Sequence, residues 1–415
     1  MPPRLTTGIS GLFVYLTAFQ LGGDEPADWP GWRGPDGAGV WTGVRLPEKL
    51  TGDSIERRWR VPLGGGYSGI AVRGARVFTQ DRPKGPPALE RVVCLDRKTG
   101  GSIWLHSYGA DYGDMDHPNG PRATPLVRDG LVYALGAVGH LVCLEESTGA
   151  LVWKADLVKE FQAKVPTWGH SASPLFWRDL LLVHAGARPG GTLLAVDAKT
   201  GKERWRALGD RPGYSTPIVV RLDGRDQVLL WTADGAHGID PSSGARLWQA
   251  PFETSSYDVA IISPVFRGKR VFVSGYWDGA EAFEIEDAGK PRSVWKARVP
   301  SCLMATPLQR DGHLFVLDKN RGLLCLDWET GKVLWDDGHK LTPSGRNPHA
   351  SLVWADGRCA ALNSEGELVV ARLSSGGYEE IGRAAIISPT WAHPAFAGRE
   401  VFARSDSEIV CVALR

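Results

Sequence analysis

The chain is poor in the residues and patterns that most enzyme sites need. Only six cysteines occur in 415 residues, and no two are adjacent. No CxxC or CxH pair is present, so thiol-based zinc ligation lacks ligands at a workable spacing. The ten histidines form no HExxH, and no GxSxG elbow occurs. Gly64-Gly65-Gly66 lacks the strand–GxGxxG–helix setting of a dinucleotide site. An excess charge of one sign is missing too. The 48 basic residues face 47 acidic ones, for a net charge of +1. Nothing in that balance pulls non-specifically on nucleic acid or an anionic membrane. Long apolar runs are absent except near the start, where residues 8–23 carry no charge. That run is shorter than the ~20 residues of a membrane span and fits a signal-peptide core better, although the small-x-small cleavage rule is only loosely met. Residues 1–23 are therefore expected to be a signal peptide or N-terminal anchor, and the protein to be exported.

Helix breakers, by contrast, are abundant: 51 Gly and 28 Pro. Both disfavour helix interiors. With 43 % hydrophobic residues and 17 Trp, the chain still has ample material for a core. One motif recurs at fixed spacing: an acid, three residues, Gly, three residues, Trp. Its five full copies run from Asp96, Glu145, Asp197, Asp240 and Asp327 to Trp104, Trp153, Trp205, Trp248 and Trp335. Trp295 ends a looser copy, Ile381 takes the Trp place in a degenerate one, and Trp59 has no acid before it. Successive Trp lie 45, 49, 52, 43, 47 and 40 residues apart. A period of that size without helical patterning predicts β-propeller blades. The Thr-Gly pair turns the chain, and the strand that follows places Trp against the next blade.

A second signal interleaves with the first. Ser or Thr followed by Pro opens an apolar run at Thr124, Ser173, Thr216, Ser263 and Thr306, with looser copies at Gly69, Ser351 and His393. These eight starts predict eight inner strands, with Pro as the first residue wherever one is present. The C-terminus supplies only three strands of the last unit. The strand around Trp59 supplies the fourth and closes the ring. The expected fold is thus all-β: an eight-bladed propeller of four-stranded antiparallel blades over 55–415, with an N-terminal segment, 24–54, packing on it. Seven blades with a spare strand pair is the competing count.

Cys94, Cys143, Cys325 and Cys411 occupy one equivalent strand position, where Ala195 and Gly238 stand in other units. That is a small buried site, where Cys acts as a small hydrophobe. The six thiols are expected to be free.

The repeat resembles that of the pyrroloquinoline-quinone (PQQ) propellers, most completely at Ala195-Val-Asp197 through Trp205. The resemblance covers residues 55–415. The segment Asp28-Trp-Pro-Gly-Trp-Arg-Gly-Pro-Asp36 also resembles the opening stretch of secreted bacterial PQQ-like proteins. That superfamily holds quinoprotein dehydrogenases and non-enzymatic propellers of the BamB type. A dehydrogenase would imply a Trp floor under the quinone, a vicinal Cys pair, and a calcium ion held by acidic and amide side chains. Trp168 or Trp391 could supply the floor, Asp258 the acid and Asn347 the amide, but the vicinal pair is missing.

Function in a propeller concentrates in the loops leading to the inner strands, which rim the channel. Those loops carry Tyr67, His117, Asn119, Arg122, Trp168, His170, Arg211, Tyr214, Tyr257, Asp258, Cys302, Met304, Arg346, Asn347, His349 and Trp391. Tyr67, Arg122, Trp168, His170, Tyr214, Asp258, Arg346, Asn347, His349 and Trp391 are the expected ligand or partner contacts, with no catalytic residue or metal ligand among them. The arginines and histidines suggest a locally basic mouth. The expected function is a monomeric, non-enzymatic propeller in the periplasm or on the surface of a bacterium, binding an envelope protein, peptide or polysaccharide and no cofactor. The alternative is a PQQ- and calcium-dependent quinoprotein dehydrogenase with an atypical site.

Overall fold

The structure, a computed structural model, describes residues 28–286 and 289–415. The expected signal peptide at 1–23 lies outside the described residues. Eight sheets follow one another around a ring. Blades 1 to 7 span 71–109, 126–156, 175–207, 218–251, 265–297, 308–336 and 350–385. Blade 8 combines 395–414 with strand Ile55–Pro62, whose outer position closes the ring against Glu408–Leu414. Among the described residues, seven sheets have four strands. Blade 7 has five, because Val40–Trp41 pairs in parallel with its inner strand Ala350–Ala355.

The repeat motif is an inter-blade clasp. The acid side chain accepts hydrogen bonds within its own turn, as Asp197 does from the Thr200 amide and hydroxyl, both at 2.9 Å. The Gly then takes a left-handed backbone, with φ +73 at Gly100 and +70 at Gly201. No side chain fits there. A Cβ on Gly201 would lie 2.6 Å from the ring of Trp153 in the preceding blade. The Trp indole also donates to the next blade's turn, Trp59 to the Arg97 carbonyl at 2.8 Å, Trp104 to Glu146 at 3.0 Å and Trp153 to Ala198 at 2.9 Å, whereas Trp248 donates to Gln227 of its own blade at 2.9 Å. Trp59, the copy without an acid, carries the clasp from blade 8 to blade 1. In all eight blades the outer strand has a register shift beside this position, which re-aims the side chain towards the neighbour. Cys94, Cys143, Ala195, Gly238, Cys325 and Cys411 are the cross-strand partners of the six Trp beside them, and only a small residue fits under an indole. All six cysteines are free and buried.

Two expectations change. Ile381 does not take the Trp place: it is the extra residue of the bulge, and Gly382 is the paired one. Leu50 of the N-terminal segment bridges to Gly382 there. Nor does Pro begin the inner strands. It stands one residue earlier, before Leu126, Leu175, Ile218, Val265 and Leu308. The hydroxyl ahead of it does the joining. The Ser173 hydroxyl accepts from the Thr124 amide of the previous blade at 2.9 Å, Thr216 from the Ser173 amide at 2.9 Å, and Thr306 from the Ser263 amide at 3.2 Å.

The segment before the first blade fills the channel. The Trp29 and Val72 backbones pair, Val127 donates to the Pro30 carbonyl, and the Trp32 indole donates to the Ser263 hydroxyl at 3.2 Å. Arg33 donates to the Thr306 and Leu352 carbonyls at 3.4 and 3.0 Å. Five consecutive residues thus reach blades 1, 2, 5, 6 and 7. Burial lowers the Arg33 pKa to about 10. The segment then runs along blade 7, stitched by Arg358 to the Pro47 and Leu46 carbonyls at 2.8 Å each, and becomes the outer strand of blade 8.

Candidate functional site

Strand alternation sorts the connections onto two faces. Loops between blades share one face with the turns joining second and third strands; the remaining turns lie on the other. The first face therefore holds all ten expected contact residues, together with turns whose contribution the sequence reading missed.

Between blades 1 and 8, Tyr67 and Trp391 stack, with ring centres 6.0 Å apart and planes at 25°. The His117 ring meets Trp391 edge-on at 5.8 Å. These residues, with Asp406 and Thr390, line a cavity of about 320 Å³. Arg122 lies 5.6 Å from both the Tyr67 and Tyr112 rings. Its guanidinium donates to the Gly120, Asp116 and His117 carbonyls. Burial depresses the Arg122 pKa. Its hydrogen-bonding capacity is largely taken up by its own loop.

A second group extends from blade 3 to blade 7. Trp168 packs on Tyr214 at 5.4 Å and on Tyr257 at 5.8 Å. Tyr257 reaches Trp277 at 6.1 Å, and Trp277 meets Tyr276 at 4.3 Å. The Tyr276 hydroxyl donates to Asn347 at 3.0 Å. Lys319 caps the end, 4.6 Å from the Tyr276 ring. The result is a continuous aromatic arc. Its crest is open: Tyr257 is 63 % exposed and Trp277 46 %. Tyr276-Trp277 and Lys319 belong to turns between second and third strands, so a search confined to the inter-blade loops passes over them. The signal was available, because a Tyr-Trp pair in a tight turn stands out against the glycine-rich turn Gly136–Gly139 of blade 2.

The expected basic mouth does not form. Arg211 is surrounded by Asp234 at 2.7 Å, Asp258 at 3.0 Å and Glu253 at 3.2 Å. His170 and His349 are buried, and burial lowers each pKa to about 4, so both are neutral near pH 7. His349 faces His393, which in turn bonds Ser351 at 3.0 Å. Both histidines line the interior, away from the arc's surface. Arg346 is exposed.

The quinone and calcium that the resemblance implies find a poor match in these side chains. Asp258 is committed to Arg211, and the Asn347 oxygen already accepts from Tyr276. Among the described residues no group of three or more His, Cys, Asp or Glu could hold a metal ion. Burial pushes the Cys302 thiol well above its usual range and that of Cys359 up to about 12. No second thiol adjoins either one in sequence. The donor set does not fit a hard cation, which takes six to eight oxygens.

Residues 88–291 and 260–415 match the family described as outer membrane protein assembly factor BamB. The assembly factor BamB of Shewanella oneidensis is 26 % identical over 66 % of this chain and 72 % of its own length. Quinohemoprotein alcohol dehydrogenase ADH IIB of Pseudomonas putida is 30 % identical over 44 % of this chain, which spans about a quarter (27 %) of that enzyme. A europium-containing methanol dehydrogenase superposes with a TM-score of 0.69 at 12 % identity, covering 94 % of this chain and 98 % of its own. The fold matches binding propellers and dehydrogenases alike.

Proposed function

The chain belongs to the PQQ-repeat propellers of the BamB family, and from that premise we propose that it is an exported, non-enzymatic propeller that captures an envelope protein on its aromatic arc. The observation that carries this reading is the open crest formed by Tyr257 and Trp277. Trp and Tyr dominate binding hot spots, because each buries a large rigid surface at little entropic cost. Trp168 and Tyr214 back the crest from below, so it is held in shape before a partner arrives. The three carboxylates around Arg211 outnumber it, so this part of the face is locally acidic.

The test places a photo-cross-linking side chain at 277, with position 334 on an outer strand as control, in the native envelope. The expected result is one dominant adduct from position 277 only. Trp277→Ala should weaken binding of that purified partner about thirtyfold, the effect of about 2 kcal/mol at a hot spot. Equal adducts from both positions would defeat the reading.

A second reading rests on the dehydrogenases among the relatives and solved structures: a PQQ-dependent oxidoreductase with an unusual site. Reduction of an artificial dye by the purified protein with PQQ, calcium and a primary alcohol would establish it. No dye reduction, together with a position-277 adduct, would exclude it.

A further inference from the structure

The opposite face carries a feature unrelated to the aromatic arc. An open cleft of about 930 Å³ lies between the N-terminal segment and the undersides of blades 7 and 8. Five guanidinium groups line it: Arg45, Arg358, Arg372, Arg399 and Arg415. Two side-chain carboxylates share the lining, and both are engaged. Asp356 pairs with Arg358 at 2.7 Å, and Glu48 lies 3.8 Å from Arg372. The positive excess of these side chains is three. On a chain of net charge +1, that excess is concentrated in one place.

The unengaged members matter most. Arg45 and Arg399 are exposed, and no hydrogen bond or close ion pair holds either side chain among the described residues, Arg45 acting on Asp356 only through its charge. Arg415 has one long bond, 3.5 Å to the Asp53 carbonyl. Arg358 is buried and fixes the cleft wall through Leu46 and Pro47. The cleft is therefore a preformed scaffold with free forks at its rim.

We propose that this cleft binds a phosphate-bearing ligand. Planar guanidinium forks bind phosphate in a bidentate manner, and a dianionic phosphate gains most from several of them together. The lining has no aromatic residue, and its main apolar side chains are Leu46, which is buried, and Pro47. A peptide would lack the apolar anchor that carries most protein–protein affinity. A phosphate needs only the donors. The same chemistry could come from a soluble phosphate or a lipid headgroup. The proposal is independent of the reading given to the aromatic arc.

Pyrophosphate titrated calorimetrically into the intact protein at low salt represents the soluble source. Vesicles of phosphatidylcholine doped with phosphatidic acid, against phosphatidylcholine alone, represent the lipid. Binding of either probe is expected, weakened about tenfold or more by Arg45→Ala/Arg399→Ala and reduced by added salt. Neither side chain supports the fold, so the double variant should melt as the wild type does. A control variant, Arg128→Ala/Arg178→Ala, removes two exposed charges on the same face but outside the cleft. Pyrophosphate binding assigns a soluble ligand; acid-dependent vesicle binding alone assigns a headgroup. Failure of both probes, or equal weakening by the control variant, would overturn the proposal.

Discussion

Chemically equal residues in this protein do unequal jobs, and burial decides which. Trp153 is 9 % exposed and clasps the next blade through Gly201 and Ala198. Trp205 occupies the same repeat position but is only partly buried. Trp153→Ala should cost about 3–5 kcal/mol, as large-to-small changes of buried aromatics do. Trp205→Ala should cost distinctly less. Urea unfolding of both variants checks the order. The spacing of these Trp could be read from sequence, but their unequal burial could not, because it depends on how far each neighbouring turn reaches over the ring. The histidines give a second residue-scale expectation. The His184 Nδ1 lies 2.9 Å from the Ser215 carbonyl, and its Nε2 accepts from the Gly213 amide, which fixes a neutral ring. Burial lowers His170, His184 and His349 to about 4. Each folded-state value lies below the unfolded one of about 6.5, so the unfolded chain binds more protons between these limits. Stability is full above about pH 6.5 and falls as pH drops towards 4, by up to about 1.4 kcal/mol per pH unit for each ring. Urea midpoints across that range should fall accordingly, and His184→Gln should flatten the slope.

At the scale of strands and turns, the five Ser/Thr-Pro copies and their three looser counterparts marked eight inner strands correctly but for an incomplete reason. Proline's tolerance at a strand start explains its presence. At Ser173, Thr216 and Thr306 it is the preceding hydroxyl that joins the blades, by accepting a hydrogen bond from an amide of the neighbouring blade. That partner is about 45 residues away in sequence, beyond any local pattern. Ser173→Ala leaves the buried Thr124 amide without its acceptor, so a loss of about 1–3 kcal/mol is expected. Ser173→Thr, which keeps the hydroxyl, should recover most of it; melting of the pair checks this. The candidate site was legible to a similar degree. Tyr67, Trp168, Tyr214 and Trp391 stood out as departures from repetition. Tyr276, Trp277 and Lys319 did not, because they come from the other set of turns on the same face. The charge of the mouth was misread for a related reason: sequence shows Arg211 but not the Asp234 carboxylate that the adjoining turn brings to 2.7 Å.

For the whole molecule, the ring closes by pairing its first long strand with its last, from Ile55 opposite Leu414 to Pro62 opposite Glu408. Deleting residues 1–62 exposes the edge of Glu408–Leu414 and removes the channel segment together. An unpaired strand edge is a template for association, so the truncated chain should elute as oligomers in size-exclusion chromatography. A monomeric elution would contradict the closure. The direction of that pairing also governs how the protein responds to tension. Ile55 and Leu414 sit together at one end of the seam, so opposed forces on the two chain ends would peel its hydrogen bonds one after another instead of shearing them at once. The seam alone would then be a weak mechanical joint. A pull on the N-terminal side, however, first meets the segment wedged in the channel. Arg33 and Trp32, bonded to blades 5, 6 and 7, must be dragged out before the load reaches Ile55. The segment acts as strain relief for the joint behind it. In force spectroscopy, unfolding from the chain ends should require a clearly higher rupture force when the pulling handle sits before residue 28 than when it sits at residue 54.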